Sequence, residues 1–470
     1  MLIRNAEVWG FGPADVRIED ARVSALRPAG SLLGKQRVIE ANGGLLLPGL
    51  HDHHIHLAAL AAKRASIWSG PPEVTTPEQL AAALNIPGGG WIRGIGYHDS
   101  VMGLPTAREL DRLVAHRPLR IQHRSGRLWL LNSLALERLL ERGPAPPGLD
   151  RSTGHLFDED AWLRAALASS PPSFAEVSRE LAKFGVTGVT DMSPANDAAM
   201  AEHFAAEMTS GALSQRVALA GKLELAQAAA GPWRLGPAKL HLHESALPDF
   251  ADASAFIAAA HAQDRPVAVH CVSEVELVFA LAAIEAAGAR PGDRIEHASV
   301  ASDELVARVA ELGLQVCVQP NFVAERGEEY LRDVEPRHVP ELYRVRSFAE
   351  AGVTLAGGSD APFGSPDPWA SMAAAISRST LAGAVIGRDE ALSPEQALEL
   401  HLTDPLDLTQ ERRIEPGAPA DLCLLHRGWS QSRCELNAAL VRATWISGRL
   451  VHDGVDQPPI ESGARADPLT

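Results

Sequence analysis

Residues able to bind or activate a metal ion follow several short apolar runs of this chain. His54 and His56 lie two apart in the segment HDHHIH. Residues i and i+2 of a strand share one face, so both imidazoles can reach one cation. His270 ends the run VAVH, His297 ends RIEH, and Asp360 ends VTLAGGSD. Such residues at the ends of four separate strands predict a metal centre, whereas one pair of histidines would be weak evidence.

A lysine adds to this set. Lys239 lies in the segment AKLHLHE, and a buried amine can be held neutral by desolvation and nearby cations. A neutral amine can take up CO₂, and the resulting carbamate could bridge two metal ions. An ion-pairing lysine is the alternative, and the strand by itself favours neither. His241 and His243 lie on the same strand face, and Asp52 shares the face of the HDHHIH pair. We expect His241 and His243 to support the site or fill the barrel, with extra ligation as the alternative, and Asp52 to orient one of the ligands.

These residues require strands that end at one common edge. Apolar runs alternate with alanine-rich helical stretches through most of the chain, which favours parallel βα units. Eight runs qualify as strands, the number that a closed (β/α)8 barrel requires: LLLPGLHDHHIH, GVTGVTDMS, SQRVALAG, PAKLHLHES, RPVAVHCVS, DRIEHAS, LQVCVQPN and VTLAGGSDAP. Catalytic groups of such barrels lie at the carboxyl ends of the strands. The sequence therefore predicts an α/β fold with a TIM barrel.

Other segments lie outside this alternation. Residues 60–180 separate the first two barrel strands and are too many for one connection. We expect them to form an inserted subdomain that caps the mouth of the barrel and influences substrate choice. Both ends of the chain are rich in short strand-like pieces, and residues 47–414 are assigned to the barrel with its insertion.

Composition and charge limit the partners. The chain has 470 residues, 46% of them hydrophobic and 22% charged, as in soluble globular enzymes. Its net charge of −16 argues against nucleic acid and anionic membranes, because phosphate groups require a basic face. Four widely spaced cysteines do not form the pattern of a disulfide framework. No apolar run suits a signal peptide or a membrane span, so we expect a cytoplasmic protein with a small-molecule substrate. The sequence is compatible with a homodimer and does not require one.

The chain resembles the amidohydrolase superfamily over nearly its whole length, and within it the branch that contains N-substituted formamide deformylases. The resemblance is carried, in chain order, by PGLHDHHIH, WIRGIGYHDS, LPTARELD, LWLLNSLAL, GVTGVTD, AKLHL, VAVH, RIEH, GGSDAP and PGAPADLCLL. It implies a β-sandwich built from residues 1–46 together with 415–456. It also implies that six residues bind the metal, with the lysine carboxylated and the aspartate catalytic in addition: His54, His56, Lys239, His270, His297 and Asp360.

Some positions depart from the family pattern. Relatives usually continue from the lysine strand into Asp-Gly, where this chain has His243 and Glu244. They commonly have Gly-Asp after the fifth-strand histidine, where this chain reads CVSEVE. Many have Gly-His before the Asn-Ser of LLNS, where this chain has Gly126 and Arg127. The metal set is kept while substrate-side positions differ, so the substrates of relatives cannot be carried over.

The sequence predicts hydrolysis of an amide or related C–N bond by metal-activated water. Asp360 would accept the proton of the water and return it to the leaving nitrogen. Zinc suits mixed imidazole and carboxylate ligands, and the number of ions, one or two, depends on Lys239. A deaminase or an ester, lactone or C–C hydrolase on the same metal core is the alternative, and a binding protein on an inactive barrel is a competing class. Some arginines could grip a substrate carboxylate in bidentate fashion: Arg124, Arg127, Arg326 and Arg344.

Overall fold

The computed structural model describes residues 1–34, 36–167 and 171–454. The chain divides into two compact units. One, the barrel unit, contains residues 1–57 and the chain from Phe174 onward, and the other, the inserted unit, contains residues 58–173.

The first strands of the chain form a sheet that is separate from the barrel sheet. They are β1 (Leu2–Val8), β2 (Gly12–Glu19), β3 (Arg22–Pro28), β4 (Val38–Glu40) and β5 (Leu45–Pro48). The first barrel strand, β6 (Leu50–Ile55), follows β5 directly, and α1 (Leu57–Arg64) comes next. All six residues of β6 are buried, as expected of a parallel strand covered on both faces.

The inserted unit has a sheet and a core of its own. Its elements are β7 (Ile67–Trp68), α2 (Pro77–Leu84), β8 (Ile92–Tyr97), α3 (Ala107–Leu113), β9 (Leu119–His123), β10 (Leu128–Leu131), α4 (Ser133–Leu140), β11 (Leu149–Asp150), β12 (His155–Phe157) and α5 (Asp160–Leu167). The strand order is β11-β12-β10-β9-β8-β7. Thr76 and Thr106 begin α2 and α3 with capping boxes, which satisfy amide groups that a helix start leaves unpaired.

The rest of the barrel follows in strict alternation of strand and connection. Its elements are α6 (Ala175–Lys183), β13 (Val186–Asp191), α7 (Ala198–Ser210), β14 (Arg216–Gly221), β15 (Arg234–His241), α8 (Phe250–Ala262), β16 (Val267–Cys271), α9 (Glu274–Ala287), β17 (Arg294–His297), α10 (Asp303–Glu311), β18 (Gln315–Val318), α11 (Asn321–Asp333), α12 (Val345–Glu350), β19 (Leu355–Gly357), α13 (Pro368–Ser377) and α14 (Pro394–Glu399). The inserted unit ends at Ser173, before α6, whereas the predicted insertion of residues 60–180 extends into this helix.

The eight barrel strands are the eight expected from the sequence. They run in the order β6-β13-β14-β15-β16-β17-β18-β19, and every neighbouring pair is parallel. The segment after β19 returns to β6: the N–H of Asp360 donates to the carbonyl of His54 at 2.7 Å, and the N–H of His56 donates to the carbonyl of Ala361 at 2.8 Å. The (β/α)8 fold is therefore confirmed.

The last elements of the chain pair with the first ones. They are β20 (Leu422–Leu425), α15 (Trp429–Ser432), β21 (Val441–Ile446) and β22 (Arg449–Asp453). One sheet runs β22-β21-β20-β5-β1-β2-β3, with β4 attached to β1. Val16, Leu46, Leu422 and Trp445 share one buried core, so side chains from both ends of the chain stabilise this sheet. Among the described residues, no helix has both the length and the apolar character of a membrane span.

Candidate metal centre

The carboxyl ends of β6 and β19 bring two histidines and an aspartate together. Oδ1 of Asp360 lies 3.5 Å from Nε2 of His54 and 3.1 Å from Nε2 of His56. One ligand atom from each of the three residues lies within 4.8 Å of the other two. Imidazole nitrogens and a carboxylate oxygen at such separations can bind one divalent cation between them.

The backbone that carries these side chains is strained and tightly held. Asp360 has a φ of 53° and His297 a φ of 73°, in the left-handed region that costs non-glycine residues about 1–3 kcal/mol. Oδ1 of Asp52 accepts the N–H groups of His54 and Ser359, both at 3.0 Å. Burial raises the pKa of Asp52 to about 6. Asp52 thus ties β6 to the turn that carries Asp360, and it acts on the backbone rather than on an imidazole.

Further imidazoles continue from His54 along the strand ends. The ring centroids of His54 and His297 are 4.7 Å apart, those of His297 and His270 4.5 Å, and those of His270 and the stacked His241 4.2 Å. Burial lowers the pKa of His54 and His297 far below the usual value, and that of His270 as well, with neighbouring histidines and Lys239 adding to the effect. These rings are therefore neutral near neutral pH and retain a nitrogen lone pair for a metal ion.

A buried ion pair orients His54. Oε2 of Glu296 lies 2.6 Å from Nδ1 of His54, and Oε1 accepts from Nε of Arg294 at 2.5 Å. Burial is the largest single influence on the Glu296 carboxyl group and favours its neutral form. The charge of Arg294, its hydrogen bond and the nearby Lys239 and His297 together outweigh burial and lower the pKa of this group. A carboxylate only accepts hydrogen bonds, so Nδ1 of His54 carries the proton and Nε2 keeps its lone pair. Sequence reasoning missed Glu296; the available signal was an acidic residue inside the wholly buried strand β17.

Two other histidines have partners on Nδ1. Oε1 of Gln319 lies 2.7 Å from Nδ1 of His297, and the amide nitrogen of Gln319 donates to the carbonyl of Cys317 at 3.3 Å. The amide orientation therefore presents an oxygen to His297 and leaves Nε2 for a ligand. Oγ of Ser193 lies 3.1 Å from Nδ1 of His56. Neither Gln319 nor Ser193 was singled out from the sequence.

Two buried polar atoms at this centre lack partners. Nζ of Lys239 and Nε2 of His297 make no hydrogen bond within the described residues. Lys239 is 4% exposed, and burial lowers the pKa of its amine. An unpaired buried polar atom is costly, and metal coordination or carbamate formation would remove that cost. The residues present therefore fit a divalent metal ion.

All six candidate ligands border one cavity of about 560 Å³ in the barrel unit. His241 and His243 border it as well, with their Nε2 atoms 3.3 Å apart, and both are exposed. They line the cavity instead of filling the barrel interior, because β15 ends at His241 and the chain continues into the cavity wall; their expected role in supporting the site stays a prediction. The rest of the lining is mostly apolar and aromatic: Val272, Ser299, Val300, Phe322, Arg326, Tyr330, Val334, Leu342, Tyr343 and Phe363.

The four candidate arginines have different environments. Arg326 borders the cavity, whereas Arg344 pairs with Asp303 at 2.5 Å and with Glu390 at 3.1 Å. In the inserted unit, Arg127 pairs with Asp158 and its side chain is 69% exposed. Arg124 is exposed too. Arg326 therefore shares a cavity with the candidate ligands, whereas Arg344 belongs to an ion-pair network with Asp303 and Glu390.

The chain is similar to known proteins over most of its length. Residues 37–452 match the amidohydrolase family. An N-substituted formamide deformylase of Arthrobacter pascens is 25% identical, over 88% of this chain and 90% of that protein. The putative amidohydrolase YtcJ of Bacillus subtilis (strain 168) is 23% identical over 88% of this chain and 90% of its own. The crystal structure of an uncharacterized metal-dependent hydrolase from Pyrococcus horikoshii OT3 gives a TM-score of 0.76 at 20% identity, covering 96% of this chain and 99% of that one.

Proposed function

Because this chain belongs to the amidohydrolase family, we propose that it hydrolyses a carbon–nitrogen bond of a small-molecule amide with the help of a divalent metal ion. The observation that carries the proposal is the cluster of His54, His56 and Asp360, whose ligand atoms lie within 4.8 Å of one another at the end of a (β/α)8 barrel. Active sites of such barrels lie at this end of the strands.

The metal would be held by neutral imidazoles and by oxygen ligands. The proposed set is the six residues of the strand ends: His54, His56, Lys239, His270, His297 and Asp360. Zinc suits these donors, and a second ion would require a carboxylated Lys239. When bound, a divalent ion lowers the pKa of water towards neutrality and polarises carbonyl oxygens.

The chain's own residues supply proton transfer. Asp360 lies beside His54 and His56 at the carboxyl end of β6 and is 7% exposed. From this position its carboxylate would take a proton from water and deliver it to the leaving nitrogen, acting as general base and then as general acid. Glu296 and Gln319 would hold His54 and His297 in the tautomer that directs Nε2 into the site.

The substitution Asp360→Asn tests this assignment. It keeps the shape of the side chain and removes its basicity, so the variant should fold, retain most of its metal and lose at least roughly a hundredfold in turnover. Asp333→Asn is a matched control, because Asp333 is exposed and pairs with its exposed neighbour Arg332. Metal content, melting temperature and turnover are measured on the same samples. Near-normal turnover in metal-loaded Asp360→Asn would remove Asp360 from the mechanism.

The products decide between reaction classes. A panel of N-formyl and N-acetyl amines should release an amine and a carboxylic acid from the wild-type enzyme. Release of ammonia from amino-substituted rings, or turnover of esters and lactones alone, would favour the alternative chemistry on the same metal core. Purified protein without stoichiometric metal and without turnover would favour a binding protein.

A further inference from the structure

One wall of the metal-site cavity carries the positive charge of Arg326. Arg326 borders the cavity, and its guanidinium carbon lies 4.4 Å from the ring centroid of Phe322. Nη2 donates one hydrogen bond to the carbonyl of Phe363 at 2.8 Å. Within the described chain, no carboxylate lies at ion-pairing distance from this guanidinium. Its remaining N–H groups can therefore donate to a ligand.

Two tyrosines extend this wall. Phe322, Arg326 and Tyr330 are spaced four apart on α11 and thus share one face of the helix. The hydroxyl oxygens of Tyr330 and Tyr343 are 2.9 Å apart, so one hydroxyl donates to the other and the pair retains one further O–H donor. Burial raises the pKa of both tyrosines and keeps them neutral. The wall therefore offers charged and neutral donors, which suit an anionic oxygen.

Apart from this wall, the candidate ligands, Ser299 and the pair of His241 and His243, the cavity lining is apolar. Phe363 connects the two polar regions: its carbonyl accepts from Arg326, and its ring centroid lies 5.8 Å from that of His56. Val334 and Leu342 belong to the same lining. A ligand that reached both Arg326 and the metal centre would therefore cross an aromatic surface.

We propose that Arg326, with the tyrosine pair, forms an anion subsite, and that the substrate is an amide carrying both an apolar group and a carboxylate. This inference rests on the proposed amide hydrolysis, since the scissile bond lies at the metal centre while Arg326 holds the carboxylate. The reaction consumes water, breaks the C–N bond and yields an amine and a carboxylic acid. Arg326 determines specificity through bidentate hydrogen bonds, which a lysine cannot reproduce.

Matched substrates test the subsite by turnover. N-formylphenylalanine and N-formylphenethylamine differ only in the carboxylate, and the N-acetyl pair is compared in the same way. Arg326→Met should lower kcat/KM for the carboxylate member by roughly 10- to 100-fold and change the neutral member little. Arg326→Lys should recover part of the loss. Arg332→Met is the control, because Arg332 lies exposed on the same helix and its loss changes the net charge equally.

A purely structural role of Arg326 gives a different result. If Arg326 only anchors the carbonyl of Phe363, its replacement lowers turnover of both members by the same factor, and the anion subsite is overturned. Equal kcat/KM of the wild-type enzyme for both members overturns it too.

Binding provides a readout that does not need turnover. Calorimetric titration of the metal-loaded protein with hydrocinnamate and with hydrocinnamamide compares a carboxylate and a neutral amide on one skeleton. Hydrocinnamate should bind more tightly to the wild type, and Arg326→Met should remove the difference while Arg332→Met keeps it. If no amide is hydrolysed but this selectivity is present, the proposed reaction fails and the subsite stands. Equal binding of the two compounds refutes the subsite.

Discussion

Replacing Glu296 by glutamine removes a buried negative charge and nearly preserves the size of the side chain. In the wild-type protein this carboxylate contacts Nδ1 of His54 at 2.6 Å and Nε of Arg294 at 2.5 Å. The side chains of Glu296 and Arg294 are 0% and 3% exposed, so solvent cannot replace the lost charge. The substitution therefore tests both the stability of the barrel interior and the orientation of a proposed metal ligand.

The structure sets the expected magnitudes. Removing one partner of a buried ion pair typically costs about 3–5 kcal/mol, because the other charge remains buried and uncompensated. Arg294 keeps its bond to the carbonyl of His53 at 2.9 Å, and the glutamine oxygen can still accept from Arg294 or from His54. We therefore expect the free energy of unfolding to fall by about 3 kcal/mol, at the lower end of that range. Metal affinity should fall roughly 10- to 100-fold, as for other residues that orient metal-binding histidines.

Urea unfolding of the metal-free protein measures the first effect, and competition with a chelator under folding conditions measures the second. Glu285→Gln is the matched control, since Glu285 pairs with Arg308 at the surface, where the two side chains are 55% and 37% exposed. Such exposed pairs contribute about 0–1 kcal/mol. If Glu296→Gln loses no more stability than Glu285→Gln and binds metal normally, Glu296 does not orient His54.

Lys239→Met should lower the metal content measured by plasma mass spectrometry. The metal-free variant should be as stable as the metal-free wild type or more stable, because Nζ of Lys239 has no hydrogen-bond partner in the described structure. A lower melting temperature of the metal-free variant would contradict this. Burial lowers the pKa of His401 to about 4. As the pH falls, His401 is therefore protonated in the unfolded chain before it is protonated in the folded chain. The free energy of unfolding consequently decreases by about 3 kcal/mol between pH about 6.5 and pH about 4. His401→Asn should flatten that pH profile of the metal-free protein in urea titrations, and an unchanged profile would refute the assignment. Trp445→Ala should lower the free energy of unfolding by about 3–5 kcal/mol, because it leaves a cavity in the core shared by both chain ends. Phe11→Ala, at a side chain that is 52% exposed, should change it by less than about 0.5 kcal/mol. Similar melting temperatures for these two variants would contradict the prediction.

The order of the barrel strands could be predicted from the sequence because the relevant signals are local. Short apolar runs, their alternation with helical stretches and the polar residue that ends each run are visible in any window of the chain. The eight expected strands are β6 and β13 to β19, and the amidohydrolase family was recognisable from the same segments. The residue types at the strand ends were sufficient to predict metal chemistry before any distance was known.

Which side chains meet across the barrel was decided only by the tertiary structure. His54 and Glu296 are separated by 242 positions, and their contact depends on how the strands close around the interior. Arg326 in α11 and Arg344, directly before α12, are the same residue type. Arg326 borders the metal-site cavity with no carboxylate partner among the described residues, whereas Arg344 pairs with Asp303 and Glu390. Local sequence specifies a residue's secondary structure and its face. It does not specify which distant charges will lie within a few ångströms, because that follows from packing of the whole fold.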